Sequence, residues 1–341
     1  MTPLDDLGLQ LPVLAAPMAG GATTPAMAIA AAQAGSLGQL AAGYKSVDAV
    51  AGEIATVREA SVPFGVNVFA PNPVPITAAD YHRYAAELKR EADRFGITLP
   101  AEPIDDDDAF DAKIDLLLSD PVPVVSFTFG VPEPKVVRAL QRAGTVVVQT
   151  VTSPDEAEIA AASGADMLAV QAAAAGGHSG TLRPDRLPAD IPIGRLIRDV
   201  RDAVALPVLA AGGVSTPGDV RAVMAAGASA AVVGTVLLLA DESGASATHQ
   251  RALKDPAYPE TVLTRAFTGR PARGVRNYFI DTYEASAPLG YPAIHHLTSP
   301  LRKAAAAAGE PGLVHLWAGT GYRHAVEQPT ATILAGLAAA A

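Results

Sequence analysis

The chain has 341 residues, of which 50% are hydrophobic and 18% charged, a composition typical of a globular protein rather than a disordered one. It contains no cysteine, which excludes disulfides, cysteine-ligated metal or iron–sulfur sites and a catalytic thiol. The net charge of −10 argues against nucleic-acid binding, because non-specific binding of that kind needs a basic surface.

The first twelve residues carry two acids and neither a basic region nor a long apolar run, so they do not resemble a signal peptide. The apolar run at 231–240 is shorter than the ~20 residues that span a bilayer. We therefore expect a cytoplasmic protein that does not bind a membrane. Nothing in the sequence fixes the oligomeric state, and a homodimer remains an open alternative.

Eight apolar runs of β type alternate with alanine-rich helical stretches, as expected of repeated βα units around a parallel sheet. They lie at 11–17, 36–41, 63–69, 123–129, 145–150, 166–171, 207–213 and 229–235. Almost continuous apolar runs indicate strands buried on both faces, and eight of them predict an α/β fold, a TIM (β/α)8 barrel over 1–240. The alternative is an open doubly wound sheet, but no G-x-G-x-x-G follows the first strand.

Two segments interrupt the alternation. A proline-rich and acidic stretch at about 71–120 is predicted to be an inserted helical segment. Residues 241–341 are richer in proline, tyrosine and histidine and are predicted to form a mostly helical C-terminal appendage, a lid on the substrate side of the barrel. Four histidines there give no ligand geometry for a metal, so we expect them to be solvated or capping residues, namely His295, His296, His315 and His324.

The reactive residues of a TIM barrel lie at the carboxyl ends of its strands. The candidates at those ends are Pro17, Met18, Ala19, Asn67, Gln149, Gln171, Gly212, Gly213, Gly234 and Thr235. Glycines after the last two strands favour a phosphate group, because backbone N–H groups can approach it closely; tight turns are the plainer alternative. Asn67 ends an apolar strand and needs a partner, so we expect it to face a ligand rather than cap a helix.

The loop after the sixth strand, AVQAAAAGGHSGT at 169–181, places His178 among small residues. The neighbouring glycines Gly176, Gly177 and Gly180 would let a flat ligand approach the backbone. A histidine can act as a base near neutral pH, because its ordinary pKa is about 6.5. The alternative is a surface histidine in a flexible loop.

These motifs resemble those of the nitronate monooxygenases, once called 2-nitropropane dioxygenases. The segments that carry the likeness are PMAGG at 17–21, PFGVNVF at 63–69, GGHSGT at 176–181, PVLAAGG at 207–213, the pair Gly234–Thr235, FTGRPARGVRN at 267–277 and WAG at 317–319. The resemblance covers nearly the whole chain.

The resemblance implies a non-covalent FMN on the carboxyl face of the barrel, with His178 as the catalytic base. It places the flavin against Met18, Asn67, Gln171, Gly176, Gly213, Gly234 and Thr235. An alkyl nitronate, or a nitroalkane that His178 deprotonates, would donate an electron to FMN. Reaction with O2 would then give a carbonyl compound and nitrite, while the protein supplies positioning and electrostatics.

Three positions depart from the family pattern. After the sixth strand that pattern usually reads Gln-Gly-x-Glu-Ala-Gly-Gly-His-Arg-Gly, whereas this chain has Ala174 in place of the acid and Ser179 in place of the base. The glutamine usual in the eighth strand is Val232. The loss of the charged pair leaves open what orients His178 and which substrate is used.

Two other functions remain open at this point. An FMN-dependent NAD(P)H:quinone reductase or enoyl-thioester reductase of the same fold would share the phosphate site and the histidine loop. A flavin-binding protein without turnover is the second alternative, and only the altered loop at 172–179 favours it.

Overall fold

The structure is a computed structural model that describes residues 2–339. Its strands, in chain order, are β1 (Val13–Ala15), β2 (Gly38–Ala41), β3 (Phe64–Ala70), β4 (Val124–Phe129), β5 (Val146–Val151), β6 (Met167–Gln171), β7 (Gly177–His178), β8 (Val208–Ala211), β9 (Ala230–Val233), β10 (Thr261–Thr264) and β11 (Ala272–Val275). Its helices are α1 (Pro25–Gln33), α2 (Val47–Glu59), α3 (Ala78–Arg94), α4 (Phe110–Ser119), α5 (Pro134–Arg142), α6 (Pro154–Ser163), α7 (Ile193–Ala203), α8 (Pro217–Ala225), α9 (Ala247–Lys254), α10 (Tyr278–Tyr283), α11 (Ala293–Ala307) and α12 (Thr330–Ala338).

Eight of the strands form a closed barrel in the order β1-β2-β3-β4-β5-β6-β8-β9, and every neighbouring pair is parallel. Each of the eight predicted runs overlaps one of these strands, and only β3 and β5 extend one residue beyond their runs. This confirms the predicted TIM barrel and excludes the open sheet. The barrel interior is filled by apolar side chains that alternate with outward-facing ones, among them Leu14, Val124, Val148, Met167 and Leu209.

Local sequence signals explain where the barrel helices begin. Thr24, Ser46, Ser153 and Thr216 accept hydrogen bonds from backbone N–H groups in the first turns of α1, α2, α6 and α8. Proline follows the cap of α1, α6 and α8, where its missing N–H group removes no hydrogen bond. The helices therefore start directly after the loops that carry the candidate residues.

The segment at 71–120 contains two helices with different partners. The second, α4, packs against β3, α2 and α5 and so takes its place in the ring of helices around the barrel. The first, α3, packs on α11, and its buried Tyr81 and Tyr84 share a hydrophobic core with Phe267 and Leu297 of the appendage. The insertion thus supplies one barrel helix and one support for the appendage.

The appendage also contains strands, which the expectation of a mostly helical segment did not include. Strands β10 and β11 pair antiparallel, and β11 pairs with β7 from the loop after β6. The last helix, α12, returns to the barrel and packs against α1, α8 and β1. The ring of helices is therefore completed by residues beyond the predicted boundary at 240. Within residues 2–339, no helix is both long and apolar enough to cross a membrane.

Candidate active site

The carboxyl end of the barrel and the appendage enclose a cavity of about 860 Å³. That volume lies in the upper part of the range for ligand cavities, about 300–1,000 Å³. The predicted site residues on its wall are Pro17, Met18, Ala19, Asn67, Gln171, Gly176, Gly177, His178, Gly212, Gly213, Gly234 and Thr235. Residues from distant parts of the sequence thus meet at one face, as the barrel topology requires.

Gln149 and Gly180 do not lie on this wall, so the prediction that they contact a ligand finds no support. Val148 and Thr150 of β5 line the cavity, and the alternation of side chains along a strand turns Gln149 away from it. The buried Gln149 instead donates from Nε2 to the Gly130 carbonyl at 3.0 Å. Gly180 packs behind the wall, where an added Cβ would lie 2.6 Å from the Thr150 methyl group.

The glycines after β8 and β9 form a cradle with little side-chain bulk. Gly212 and Gly213 have φ of +100° and +78°, and an added Cβ at Gly212 would lie 2.9 Å from the Ala172 carbonyl oxygen. An added Cβ at Gly234 would lie 3.3 Å from the sulfur of Met18. Glycine adopts such angles without strain and leaves the backbone open to the cavity, so the cradle has room for an anionic group such as a phosphate.

Asn67 lies in the middle of β3 and not at its end, as the sequence had led us to expect, and its side chain lies on the cavity wall. Its Nδ2 donates to the Ser126 carbonyl at 3.2 Å and to the hydroxyls of Ser126 and Thr128. A carbonyl can only accept, which fixes the amide orientation and leaves Oδ1 as an acceptor on the cavity wall. Helix α3 is capped by Thr77, so Asn67 does not have the capping role that was the alternative.

The histidine loop is held by both the barrel and the appendage. Gln171 donates from Nε2 to the His178 carbonyl at 3.2 Å and accepts from the Gly180 N–H at 2.7 Å. On the other side, His178 is paired with Ala272 in the ladder between β7 and β11. The loop is therefore a structured element, and the alternative of a flexible surface loop is wrong. Gln171, expected to contact the flavin, has its amide engaged in holding this loop.

The His178 ring is half-buried and surrounded by aromatic side chains. The rings of Trp317, Phe129 and Tyr291 lie edge-on at centroid distances of 5.5, 5.6 and 5.8 Å. Burial, and secondarily the positive charges of Arg270 and Arg302, lower the pKa of His178 to about 3. The imidazole is therefore neutral at physiological pH, with a lone pair available to take a proton.

Two buried arginines give the site positive charge. Arg270 is fully buried, with its guanidinium 4.1 Å above the Phe129 ring, and Arg302 lines the cavity at 5% exposure. Burial lowers the pKa of both groups to about 10, so both remain protonated at neutral pH. Within residues 2–339 neither forms a salt bridge; Arg270 donates to the Thr181 and Asn72 carbonyls, and Arg302 to the His295 carbonyl. Uncompensated buried cations of this kind favour an anionic ligand.

Several wall residues come from the appendage and were not predicted. His295 stacks on Tyr44 at 4.1 Å, and the His315 ring lies 5.2 Å from that of Trp317. The expectation that these two histidines are solvated or capping is wrong, because both line the cavity and burial lowers their pKa well below the ordinary value. Across the described range 2–339, no group of three or more histidine, aspartate or glutamate side chains is arranged to hold a metal ion. Local sequence gave no signal for these positions, since the appendage brings them to the cavity.

Comparisons with known proteins agree with this geometry. A model of the nitronate monooxygenase family matches residues 2–339. A probable nitronate monooxygenase from Staphylococcus aureus (strain Newman) is 35% identical over 336 residues, which cover 97% of this chain and 94% of the relative. A nitroalkane oxidase from Streptomyces ansochromogenes is 48% identical with a TM-score of 0.94, over 99% of this chain and 97% of that one.

A more distant structure, FabK from Thermotoga maritima, has a TM-score of 0.77 at 24% identity over 99% of this chain and 94% of that one. At that identity the likeness shows the fold alone. The family match and the curated relative each extend over almost the entire chain. The chain therefore belongs to the nitronate monooxygenase family and is a flavin-dependent oxidoreductase.

Proposed function

We propose that this protein uses FMN to oxidise alkyl nitronates, and less readily nitroalkanes, with O2 to carbonyl compounds and nitrite. The observation that carries the proposal is a neutral imidazole, His178, on a cavity that holds the protonated guanidinium of Arg302. This combination suits an anionic substrate or one that becomes anionic by losing a proton.

FMN is the proposed flavin, with its phosphate in the cradle formed by Gly212, Gly213, Gly234 and Thr235. The small side chains and positive φ values support this assignment, because they leave the backbone open to an anion. The Asn67 Oδ1 atom is a suitable acceptor for an N–H group of the flavin ring. When bound, FMN would supply the electron acceptor, which none of the protein's side chains provides.

The charge of the site favours the nitronate form of the substrate. The protonated Arg302 guanidinium attracts the anion, whereas a neutral nitroalkane gains little from it. His178 is also a weak base, since its conjugate acid has a pKa of about 3, and a weaker base removes a carbon-bound proton less effectively. We therefore expect nitronate turnover to exceed nitroalkane turnover.

The appendage is proposed to form the substrate side of the site, as a lid over the barrel. This proposal is supported by four residues of the appendage that lie on the cavity wall, namely His295, Arg302, His315 and Trp317. Aromatic and imidazole rings there would exclude water from the reacting groups, which strengthens electrostatic interactions inside.

The test begins with the absorption spectrum of the purified protein. We expect a yellow protein that releases FMN on heating, identified by chromatography. Oxygen consumption and nitrite release are then measured with nitroethane and with its preformed nitronate. Lack of oxygen consumption with the nitronate, together with rapid anaerobic bleaching of the flavin by NAD(P)H, would contradict the proposal in favour of a reductase. Bound flavin without turnover in either assay would favour the non-catalytic alternative.

A further inference from the structure

The imidazole of His178 has a hydrogen-bond partner that comes from the appendage rather than from its own loop. Its Nε2 lies 2.9 Å from the hydroxyl oxygen of Thr268, in the turn between β10 and β11. Thr268 is 1% exposed, so water does not compete for this contact. The two residues are 90 positions apart in the sequence, and the pairing of β7 with β11 brings them together.

The Thr268 hydroxyl has a second partner, which decides the direction of the hydrogen bond to His178. Thr268 Oγ1 donates to the Arg270 carbonyl at 3.2 Å, and a hydroxyl has only one hydrogen to give. With that hydrogen directed to the Arg270 carbonyl, the same oxygen accepts from His178, which places a proton on Nε2. The neutral ring then carries its lone pair on Nδ1.

The turn that holds Thr268 is fixed by the backbone. Gly269 has φ of +70°, and an added Cβ would lie 2.8 Å from the Gly290 nitrogen. A side chain at this position would therefore be strained and would clash with backbone. The close packing of Gly269 against Gly290 therefore fixes the backbone between Thr268 and Arg270.

We propose that Thr268 is a positioning residue that fixes His178 as the Nε2–H tautomer and presents Nδ1 as the basic atom. Among the described residues Nδ1 makes no hydrogen bond, and the ring lies on the cavity wall. Thr268 would thus orient His178 in place of the acid and base that are usual in the family and that Ala174 and Ser179 replace here. The orienting group is supplied from the appendage instead of the loop.

This inference rests on the proposed function, because the step in which Thr268 acts is the deprotonation of a nitroalkane by His178. Nδ1 takes the α-proton of a nitroalkane; the C–H bond breaks and an N–H bond forms. The electron pair of the broken bond becomes the C=N bond of the nitronate, with the negative charge on the nitro oxygens. Thr268 accepts from Nε2 throughout and so holds the ring in place while it becomes positively charged, as the third member of a catalytic triad does.

Thr268→Val removes the hydroxyl at nearly constant volume, and Thr268→Ser retains it. We expect Thr268→Val to lower kcat for nitroethane by roughly 10- to 100-fold, part of the contribution of a positioned base, with a smaller effect on the preformed nitronate. Thr268→Ser should restore most of the nitroethane turnover at unchanged flavin content. Equal nitroethane kcat in the valine variant and the wild type would overturn the proposal, as would equal losses on both substrate forms.

The tautomer is measured independently of turnover. Two-bond ¹H–¹⁵N correlation spectra of the flavin-loaded wild-type protein, labelled with ¹⁵N-histidine, identify which ring nitrogen carries the proton, and the His178→Asn spectrum assigns the signal. We expect a protonated Nε2 and an unprotonated Nδ1 at pH 7. A protonated Nδ1 would overturn the proposal even if Thr268→Val fails to fold. Absence of nitronate oxidation with the expected tautomer would contradict the proposed function and leave the Thr268 contact established.

Discussion

Arg302 brings a protonated guanidinium to the cavity wall, held by uncharged partners. It donates to the Thr298 hydroxyl at 3.0 Å and to the His295 carbonyl at 2.9 Å, and burial lowers its pKa only to about 10. A charge buried among dipoles is stabilised further when an anion enters the cavity. At the scale of single residues, the positive charge that would bind an anionic ligand is therefore already in place in the unliganded site.

The first prediction concerns this charge. Arg302→Gln should raise KM for a nitronate about tenfold, equivalent to about 1.4 kcal/mol, and should change KM for the neutral nitroalkane much less. Arg302→Lys keeps the charge, so its KM for the nitronate should lie between that of the wild type and that of Arg302→Gln. Steady-state oxygen consumption with both substrate forms measures the difference. A similar rise in both KM values would mean that Arg302 acts through packing of α11 rather than through its charge.

The second prediction concerns the proton. His178→Asn retains a polar side chain that cannot act as a base, and should lower nitroalkane turnover by ~10²- to 10⁴-fold. A nitronate has already lost its α-proton, so its turnover should be largely spared while FMN stays bound. His324→Asn, at an exposed position of the appendage, is the matched control. Loss of nitronate turnover to the same degree would show that His178 positions the flavin or the substrate instead.

What could be predicted from the sequence at this scale follows from topology. Gly213 and Gly234 follow the carboxyl ends of β8 and β9, so their meeting at one face was predictable from the alternation alone. The roles of Thr268 and Arg302 were not predictable, because no local sequence pattern indicates which residues of the appendage pack against the cavity. His178 was predictable as a candidate, but its partner 90 residues away was not.

At the scale of elements, the connection between barrel and appendage is a ladder of very short strands. Strand β7 contains only Gly177 and His178, and such a pair has no strand propensity of its own. It becomes a strand because β11 offers free backbone groups beside it. The eight barrel strands, by contrast, were predictable because each is an apolar run bounded by turns.

The third prediction uses Gly177, which belongs to this ladder, and Gly176, which directly precedes it. An added Cβ at Gly176 would lie 2.5 Å from the Gly319 nitrogen, which donates to the Thr235 hydroxyl. Gly176→Ala should therefore push the appendage from the barrel, lower the Tm and weaken flavin retention. Gly177 has φ of +78° but open space around it, so Gly177→Ala should cost only about 1–2 kcal/mol of backbone strain.

Thermal unfolding and flavin content after gel filtration compare the two variants. The larger loss of flavin is expected from Gly176→Ala, because its clash reaches the cradle through Gly319 and Thr235. Equal flavin retention in both variants would show that contact between the loop and the appendage does not hold the cradle in shape.

At the scale of the whole molecule, the enclosed cavity makes stability depend on pH. Four of its wall residues are histidines whose pKa burial lowers, to about 3 for His178, about 4 for His249, and well below the ordinary value for His295 and His315. In the unfolded chain each returns to about 6.5. Below pH 6.5 the unfolded chain therefore binds more protons than the folded protein, and the free energy of unfolding falls as the pH falls.

The last prediction follows from that sign. Each histidine that stays neutral on folding contributes up to about 1.4 kcal/mol per pH unit between 6.5 and its folded pKa, and all four contributions have the same sign. Urea unfolding of the flavin-saturated protein between pH 5 and 8 should show stability nearly constant above pH 7 and falling steeply below 6.5. His249→Gln should reduce that slope by up to about 1.4 kcal/mol per unit, because glutamine takes up no proton.

His324→Gln is the control, since its ring is exposed already in the folded protein. An unchanged slope in His249→Gln would mean that its imidazole is hydrated in the folded state, and the cavity would then be open to water on the side of α9.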